Sequence, residues 1–523
     1  MRPSTFPRLA PRFAAPLLAA ALIAQAAAPA ARAADTAEAD RLRALFESHL
    51  GTPAAGEPRV VTVTPVGDGY ELAIDFDRLA APLQVLGLDL KAGRHVATLT
   101  PDRNGDWSWK SNTFDPLTWK VQGQTGRLGV EGWHAEGVFS TALAAFTEQH
   151  IGADRIVSEQ TVAAHDDTPR FDVRRTDEAV AVTVTGKAAA KGDGIDATVE
   201  QTTKSTIEVL SLTEGKAAGI PDMEATLKMG PTRVGVVFEG LRTRPLFALW
   251  RHLVAHHGQA DFTTGQADLK ARLRDLGPLF ERMRETVSAD TIEVETPVGF
   301  GTIGHLEGAV DLTGATNTGD AELRLVLNGL EVHSLFIPAW ANRLVPRELT
   351  VRAKGSGWDA ASALAVFLAR ADFAAGTPLD DAATAELRTK LLPHDGVEID
   401  LAGNRAKASD WDLGLDGKLT AAPAGLSGTV TVRAQGLEAA ISALRDPAAG
   451  DAGKTAADQL SVALTFADRR DGALFWTFAI EGDQVRVNDR LITPPTIPSS
   501  GSQKSDDTED EAPPIKGSSK KKK

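Results

Sequence analysis

The sequence predicts an α+β protein that is mainly antiparallel β, an elongated curved sheet with short helices at the strand exits. Three observations predict it. Apolar and polar residues alternate with period two in many short segments between residues 61 and 488, as half-buried strands require. Turn signals containing glycine, such as Asn104-Gly105 and Gly482-Asp483, separate alternating segments. Short apolar or helical stretches follow several strand ends.

Taken in chain order, residues 37–50 read as an amphipathic helix with Leu42, Leu45, Phe46 and Leu50 on one face. Val61 and Val63 then alternate with Thr62 and Thr64, and Tyr70, Leu72, Ile74 and Phe76 form one strand face. Residues 95–109 read as a hairpin around Asn104-Gly105. Further alternation spans 179–185 and 197–212. From residue 291 the strands are denser, at 292–294, 323–327, 349–351, 397–401, 430–432 and 475–488. A loose repeat joins some of them: a strand, a glycine exit, then an apolar or helical stretch. It recurs at 234–250, 323–340 and 430–444, and at 349–369 without the leucine that follows the glycine elsewhere. Its spacing is irregular, which excludes a solenoid of fixed period.

Residues 267–287 read as an amphipathic helix that Gly277-Pro278 kinks or divides. Leu269, Leu273, Leu276, Phe280, Met283 and Val287 make its stripe, and Lys270, Arg272, Arg274, Arg282 and Arg284 lie off it. Residues 242–284 hold eight basic residues against four acidic ones. Leu269, Arg272, Leu273, Arg274, Phe280, Arg282, Met283 and Arg284 are therefore the candidate residues of a membrane-surface helix. The plainer expectation is a helix packed on the sheet with its basic residues in water.

The N-terminus reads as a secretion signal. Arg2, Arg8 and Arg12 precede an apolar run at 13–24 that is too short to span a bilayer, and Ala31-Arg32-Ala33 offers a cleavage site. The expected mature N-terminus is Ala34 or Asp35, in the periplasm; an uncleaved inner-membrane anchor is the alternative. Residues 1–33 contain four arginines and no acid, so their removal takes the net charge from −14 to −18. So acidic a chain does not attract nucleic acid. No later segment reaches membrane-spanning length, and the absence of cysteine excludes disulfides and thiol chemistry. The expected division is a signal peptide at 1–33, a β-rich region with amphipathic helices at 34–290, a second β-rich region with strand–helix units at 291–492, and a disordered tail at 493–523.

No catalytic or cofactor motif stands out. His252 and His256 form an i, i+4 pair on a helix, but Leu253 stands where a metalloprotease has its glutamate. That helix is expected to bury Leu246, Leu249, Trp250 and Leu253, leaving both histidines on its flank. Asp102, Asn104 and Asp106 imitate a calcium loop, yet Trp107 and Thr113 replace its glycine and its bidentate glutamate. Trp107 and Trp109 project to one side of their strand, where core packing suits them better than sugar stacking. No metal or other cofactor is expected. The nucleophile elbow, P-loop and dinucleotide fingerprint are all missing.

The Ala-rich signal, the segment WHAEGVFSTALAAF (133–146), the strand–Gly-Leu–helix units and the closing FAIEGDQVRVNDRLITPP (478–495) carry a resemblance. Together they resemble alphaproteobacterial periplasmic proteins of the domain-of-unknown-function type. The closing strand pair is also similar to the end of the YdgA and AsmA-like envelope families. The resemblance covers residues 60–495 and matches no catalytic residue. It implies a β-rich, elongated fold and an envelope role in contact with lipid or outer-membrane components. The function this leads to expect is a non-enzymatic scaffold or carrier of an apolar, lipid-like ligand. A cell-wall or surface-glycan enzyme using dispersed carboxylates, or a purely structural partner protein, are the competing classes.

Overall fold

The computed structural model describes residues 34–492 except 53–55, 103–104, 122, 165–168, 214–221, 257–261, 336 and 374–378. The expected signal peptide, the expected tail, Asn104 and His257 lie outside the described residues. The first helix, α1 (Thr36–Leu50), starts where the Asp35 carboxylate accepts the backbone N–H of Glu38 at 2.7 Å. Its stripe buries Ala39, Leu42, Phe46 and Leu50 against the first strands, as the periodicity predicts.

The chain is mostly β, 53% strand against 24% helix, so the sheet sets the architecture. Among the described residues the strands join in one curved sheet of 27, and every pairing among them is antiparallel. Successive hairpins build it. From Val61–Val66 the pairing runs through Gly69–Asp75, Arg94–Pro101, Trp107–Ser111, His134–Ser140 and Ala145–Val162 to Arg170–Ala188. It continues through Ile195–Thr203 and Thr232–Leu241 to Arg282–Thr296 and Gly299–Thr313. Gly319–Asn328, Glu348–Trp358, Asp412–Ala422, Gly425–Gln435 and Ala473–Glu481 complete the main path, with the short strands Val397–Asp400 and Asn404–Lys407 side by side between the second and third of these. Four strands are long enough, at 15 to 19 residues, to pair with two partners end to end on one side. Ala179 and Thr291 sit at positive φ inside two of them and break the alternation there. The Arg282–Thr296 strand runs straight through the boundary expected at residue 290.

Short helices follow strand exits, as the repeat suggests. α2 (Thr243–His256) and α3 (Phe262–Leu276) connect Thr232–Leu241 to Arg282–Thr296. The helices Ala360–Arg370 and Asp381–Leu391 follow Glu348–Trp358; Leu437–Leu444 and Gly450–Leu464 follow Gly425–Gln435. The exit glycine has a physical reason at Gly436. Its φ is +70°, and a Cβ there would lie 2.0 Å from the Asp410 carbonyl oxygen. The unit at 323–340 departs from the pattern, because the strand Glu331–Ser334 intervenes before the four-residue helix Ala339–Asn342.

The helix expected over 267–287 is shorter than its periodicity implies. α3 ends at Leu276, before Gly277-Pro278, and Arg282, Met283, Arg284 and Val287 belong to a strand. Leu269 is buried on α3 and Leu273 half-buried, and Phe280 lies in the connector, 5.9 Å from the Phe238 ring. A single membrane-surface helix presenting all eight candidate residues is therefore not formed.

Candidate functional site

Residues directly opposite each other in an antiparallel sheet share a face, so the register traces each face across the strands. One row runs Ala289, Leu306, Leu327, Leu349, Ala406, Leu413, Ala434, Leu474. Beside it run Val287, Gly308, Leu325, Val351, and then Val310, Leu323, Ala353. A further row runs Met283, Leu312, Ala321, Gly355, Ile399, Leu419, Gly428, Ile480. These rows make one face of the sheet apolar over its whole C-terminal half.

That face is sealed at its ends and open between them. At the N-terminal end α1 packs Leu42, Phe46 and Leu50 against Val61, Tyr70, Leu72, Leu99, Trp107 and Trp109, all nearly inaccessible. Trp107 and Trp109 are thus core residues. A second buried cluster around Val180, Val182, Val184, Val199, Val236 and Phe238 follows, with Phe280 and Met283 against it. At the C-terminal end Leu437, Leu464 and Phe466 close over Ala434, Leu474 and Trp476, whose indole donates to the Ala463 carbonyl at 2.8 Å. Between these clusters, among the described residues, the rows over Leu306, Leu323, Leu325, Leu327, Leu349 and Val351 belong to none of the buried clusters. Leu323 is 51% exposed and Val351 37%, while Leu306, Leu325, Leu327, Leu349, Leu413 and Leu415 are half-buried. From the Gly299–Thr313 strand to the Asp412–Ala422 strand is four inter-strand steps of about 4.8 Å, an open apolar lane of about 19 Å.

The opposite face is a lattice of ion pairs. Asp311 accepts from Arg282 at 2.6 Å and from Arg284 at 3.0 Å; Glu322 accepts from Arg352 at 2.7 Å; Lys418 and Glu398 are 2.8 Å apart. Arg282 and Arg284, two candidates for lipid contact, are thereby committed to a protein carboxylate, and Arg272 is held by Asp268 at 3.2 Å. Arg282 and Arg284 hold the Asp311 carboxyl below its ordinary 3.8; Arg352 does the same to Glu322 and Arg405 to Asp412. A carboxyl whose folded pKa is depressed stabilises the fold fully above its unfolded value and loses that contribution as pH falls through the folded one. Stability should therefore be steady down to about pH 4 and fall below it. Asp311→Asn should cost about 1 kcal/mol in urea unfolding at pH 7 and little at the lowest pH where the chain still folds. A difference between the two proteins that does not shrink in acid would contradict this assignment.

The apolar face carries two charged interruptions that the sequence reading did not single out. Glu285 lies between Met283 and Val287, opposite Val236 and Val310, with no ion-pair or hydrogen-bond partner among the described residues. Farther along, Arg175 donates to Asp177 at 2.9 Å, buried Thr206 donates to the same carboxylate, and Glu208 stands directly opposite Arg175. The register puts Asp177 on the side of Ile156, which packs against the second buried cluster. An acid in the apolar phase of a strand, as in Met283-Arg284-Glu285-Thr286-Val287, is the sequence signal that marks such positions.

The other candidates resolve into local structure. His252 is buried, 7% exposed, with Nδ1 3.1 Å from the Asp268 carboxylate, whereas exposed His256 turns its Nδ1 to the His252 carbonyl. α2 buries Phe247 and Val254 fully and packs Trp250 against the N-terminal core, while Leu246, Leu249 and Leu253 are half-buried, because α1 and α3 pack against α2. Burial, followed by the nearby His256 and Arg272, lowers the His252 pKa. Among the described residues no group of three or more His, Asp or Glu side chains is placed to hold a metal ion. The Asp102 N–H donates to the Asp106 carbonyl at 2.9 Å, so this segment closes a hairpin between Arg94–Pro101 and Trp107–Ser111. No described helix is long and apolar enough to cross a membrane. No family model, curated protein or solved structure matches the chain.

Proposed function

We propose that this chain is a non-enzymatic protein of the bacterial envelope, exported to the periplasm, that carries an acyl-chain ligand along the open lane. The single observation that supports the reading is the contrast along one apolar face: sealed by helices at both ends, unsealed over Leu306, Leu323, Leu325, Leu327, Leu349 and Val351. Hairpin after hairpin adds to the same sheet, which favours an elongated molecule with the lane along its length. The lane is about 19 Å long. One leaflet of a bilayer, half of a hydrocarbon core of about 30 Å, is about 15 Å and so shorter than that. An extended acyl chain therefore fits within it. Glu285 offers a polar group of such a ligand an acceptor at the rim of the second buried cluster.

Magnitudes set which ligands bind. Each methylene transferred from water contributes about 0.8 kcal/mol, and association costs about 4–15 kcal/mol. A chain of about eight carbons, worth about 6 kcal/mol, barely offsets that cost, whereas one of about sixteen exceeds most of the range. Titration with saturated fatty alcohols of increasing length, whose hydroxyl can donate to Glu285, read by displacement of a fluorescent acyl probe, should show affinity rising steeply with length up to the lane's reach. Affinity independent of chain length, or no displacement at all, would sink the reading.

A further inference from the structure

The chain places two arginines without carboxylate partners at one concave surface. Arg244 and Arg251 are two turns apart on α2, so they lie on one side of that helix, with Phe247 between them. With Ser48 and His49 from the last turn of α1 they line a cleft of about 330 Å³. Arg251 Nη1 donates to the Ser48 carbonyl at 2.5 Å, and Arg244 Nη2 to the Ala142 carbonyl at 3.1 Å. Neither guanidinium has an acid within ion-pair distance among the described residues. A guanidinium has five N–H donors, so most of each remains unassigned. Arg282, Arg284, Arg343, Arg352, Arg370 and Arg405 are each held by a carboxylate; other arginines such as Arg127, Arg233 and Arg274 also lack one among the described residues, so what distinguishes Arg244 and Arg251 is that both line one cleft. The His49 Nδ1 is already engaged with the Leu45 carbonyl at 3.0 Å and the Ser48 hydroxyl at 2.8 Å, and its ring meets Phe247 edge-on at 5.2 Å. The bond from Arg251 to Ser48 satisfies the C-terminus of α1, which accounts for one N–H of one arginine. It explains neither Arg244 nor the cleft.

We infer that this cleft binds a phosphate group, with Arg244 and Arg251 as its two cationic partners. Phosphate suits the site better than carboxylate because its charge at neutral pH, about −1.5 to −2, matches two guanidinium groups. Arginine also meets its oxygens in the paired geometry that makes charge-assisted hydrogen bonds strong. The cleft lies beside the sealed end of the sheet, at α1 and α2, so the inference does not rest on the acyl-carrier reading. The phosphate belongs either to a soluble phosphorylated compound or to a lipid headgroup.

Two arms of one experiment separate these sources. Inorganic phosphate is titrated calorimetrically into the full chain, and vesicles of phosphatidylcholine with and without phosphatidic acid are co-sedimented with it. Saturable binding of one phosphate per chain, with no sedimentation, assigns the site to soluble phosphate compounds. Sedimentation that requires phosphatidic acid assigns it to a headgroup. In either arm Arg244→Gln and Arg251→Gln should each weaken binding about tenfold or more, the loss of a charge-assisted hydrogen bond. Arg244→Lys, which keeps the charge, should lose less. A readout on the unaltered chain guards against misfolded variants: the His49 ring, followed by NMR, should titrate at higher pH when the ligand that binds is saturating. Absence of binding in both arms, binding unchanged in both glutamine variants, or a His49 titration indifferent to the bound ligand would overturn the inference.

Discussion

Changing Leu323 and Val351 together to aspartate should abolish acyl-chain binding while the protein stays folded. Both side chains are already substantially exposed, 51% and 37%, so little native packing is lost. The expected cost in stability is about 1–2 kcal/mol, from the poor fit of aspartate to a strand. The effect on binding is far larger. An acyl chain laid across Leu325 and its neighbours would strip water from two carboxylates without offering a hydrogen bond in return, a penalty of several kcal/mol each. That is a loss of more than about a hundredfold in affinity at 1.4 kcal/mol per decade. The same pair of changes at Val237 and Ile207, exposed apolar residues on the opposite face, should leave binding unaltered. Equal loss from both pairs would show that exposed apolar surface in general, and not this lane, takes up the probe.

The second large effect concerns the sealed end. Phe46 is 1% exposed and joins α1 to the strands that begin the sheet. Phe46→Ala should destabilise the chain by about 3–5 kcal/mol, the range for emptying a buried aromatic site. Urea unfolding followed by tryptophan fluorescence measures it, since Trp107 and Trp109 stand in the same cluster. A cost below about 1 kcal/mol would mean that α1 is an appendage and that the apolar face is open at its start as well.

Much of the architecture was legible wherever one period dominates locally. The stripe of Leu42, Phe46 and Leu50 specified α1, and the alternation in Leu323-Leu325-Leu327 and Leu349-Val351 specified strands that pair in register. The segment after Gly277-Pro278 misled because Met283 and Val287 are four residues apart. That spacing satisfies both one face of a helix and one face of a strand, and the choice is made by the neighbouring strands Thr232–Leu241 and Gly299–Thr313. His252 looked like a flank residue because the partner that buries it, α3 with Asp268, packs on α2 only in the tertiary structure. The lane was legible as an apolar face but not as an open one. Nothing in Leu323 or Leu349 itself tells that they stay outside the buried clusters, whereas Leu72 and Leu99, of the same chemistry, share one with α1. The arginine cleft was hidden for a related reason, since Arg251 and Ser48 meet across 203 residues. The basic run around α2 and α3 was visible; which of its members lack a carboxylate was not.

Native mass spectrometry of the protein, released gently from the cells that produce it without delipidating detergent, tests the carrier reading most directly. Added masses corresponding to one or more acyl-chain lipids per chain are expected, lost from the Leu323→Asp, Val351→Asp double variant and retained in the Ile207→Asp, Val237→Asp control. A bare polypeptide mass for the unaltered protein, or the same added lipid on both variants, would contradict the carrier reading.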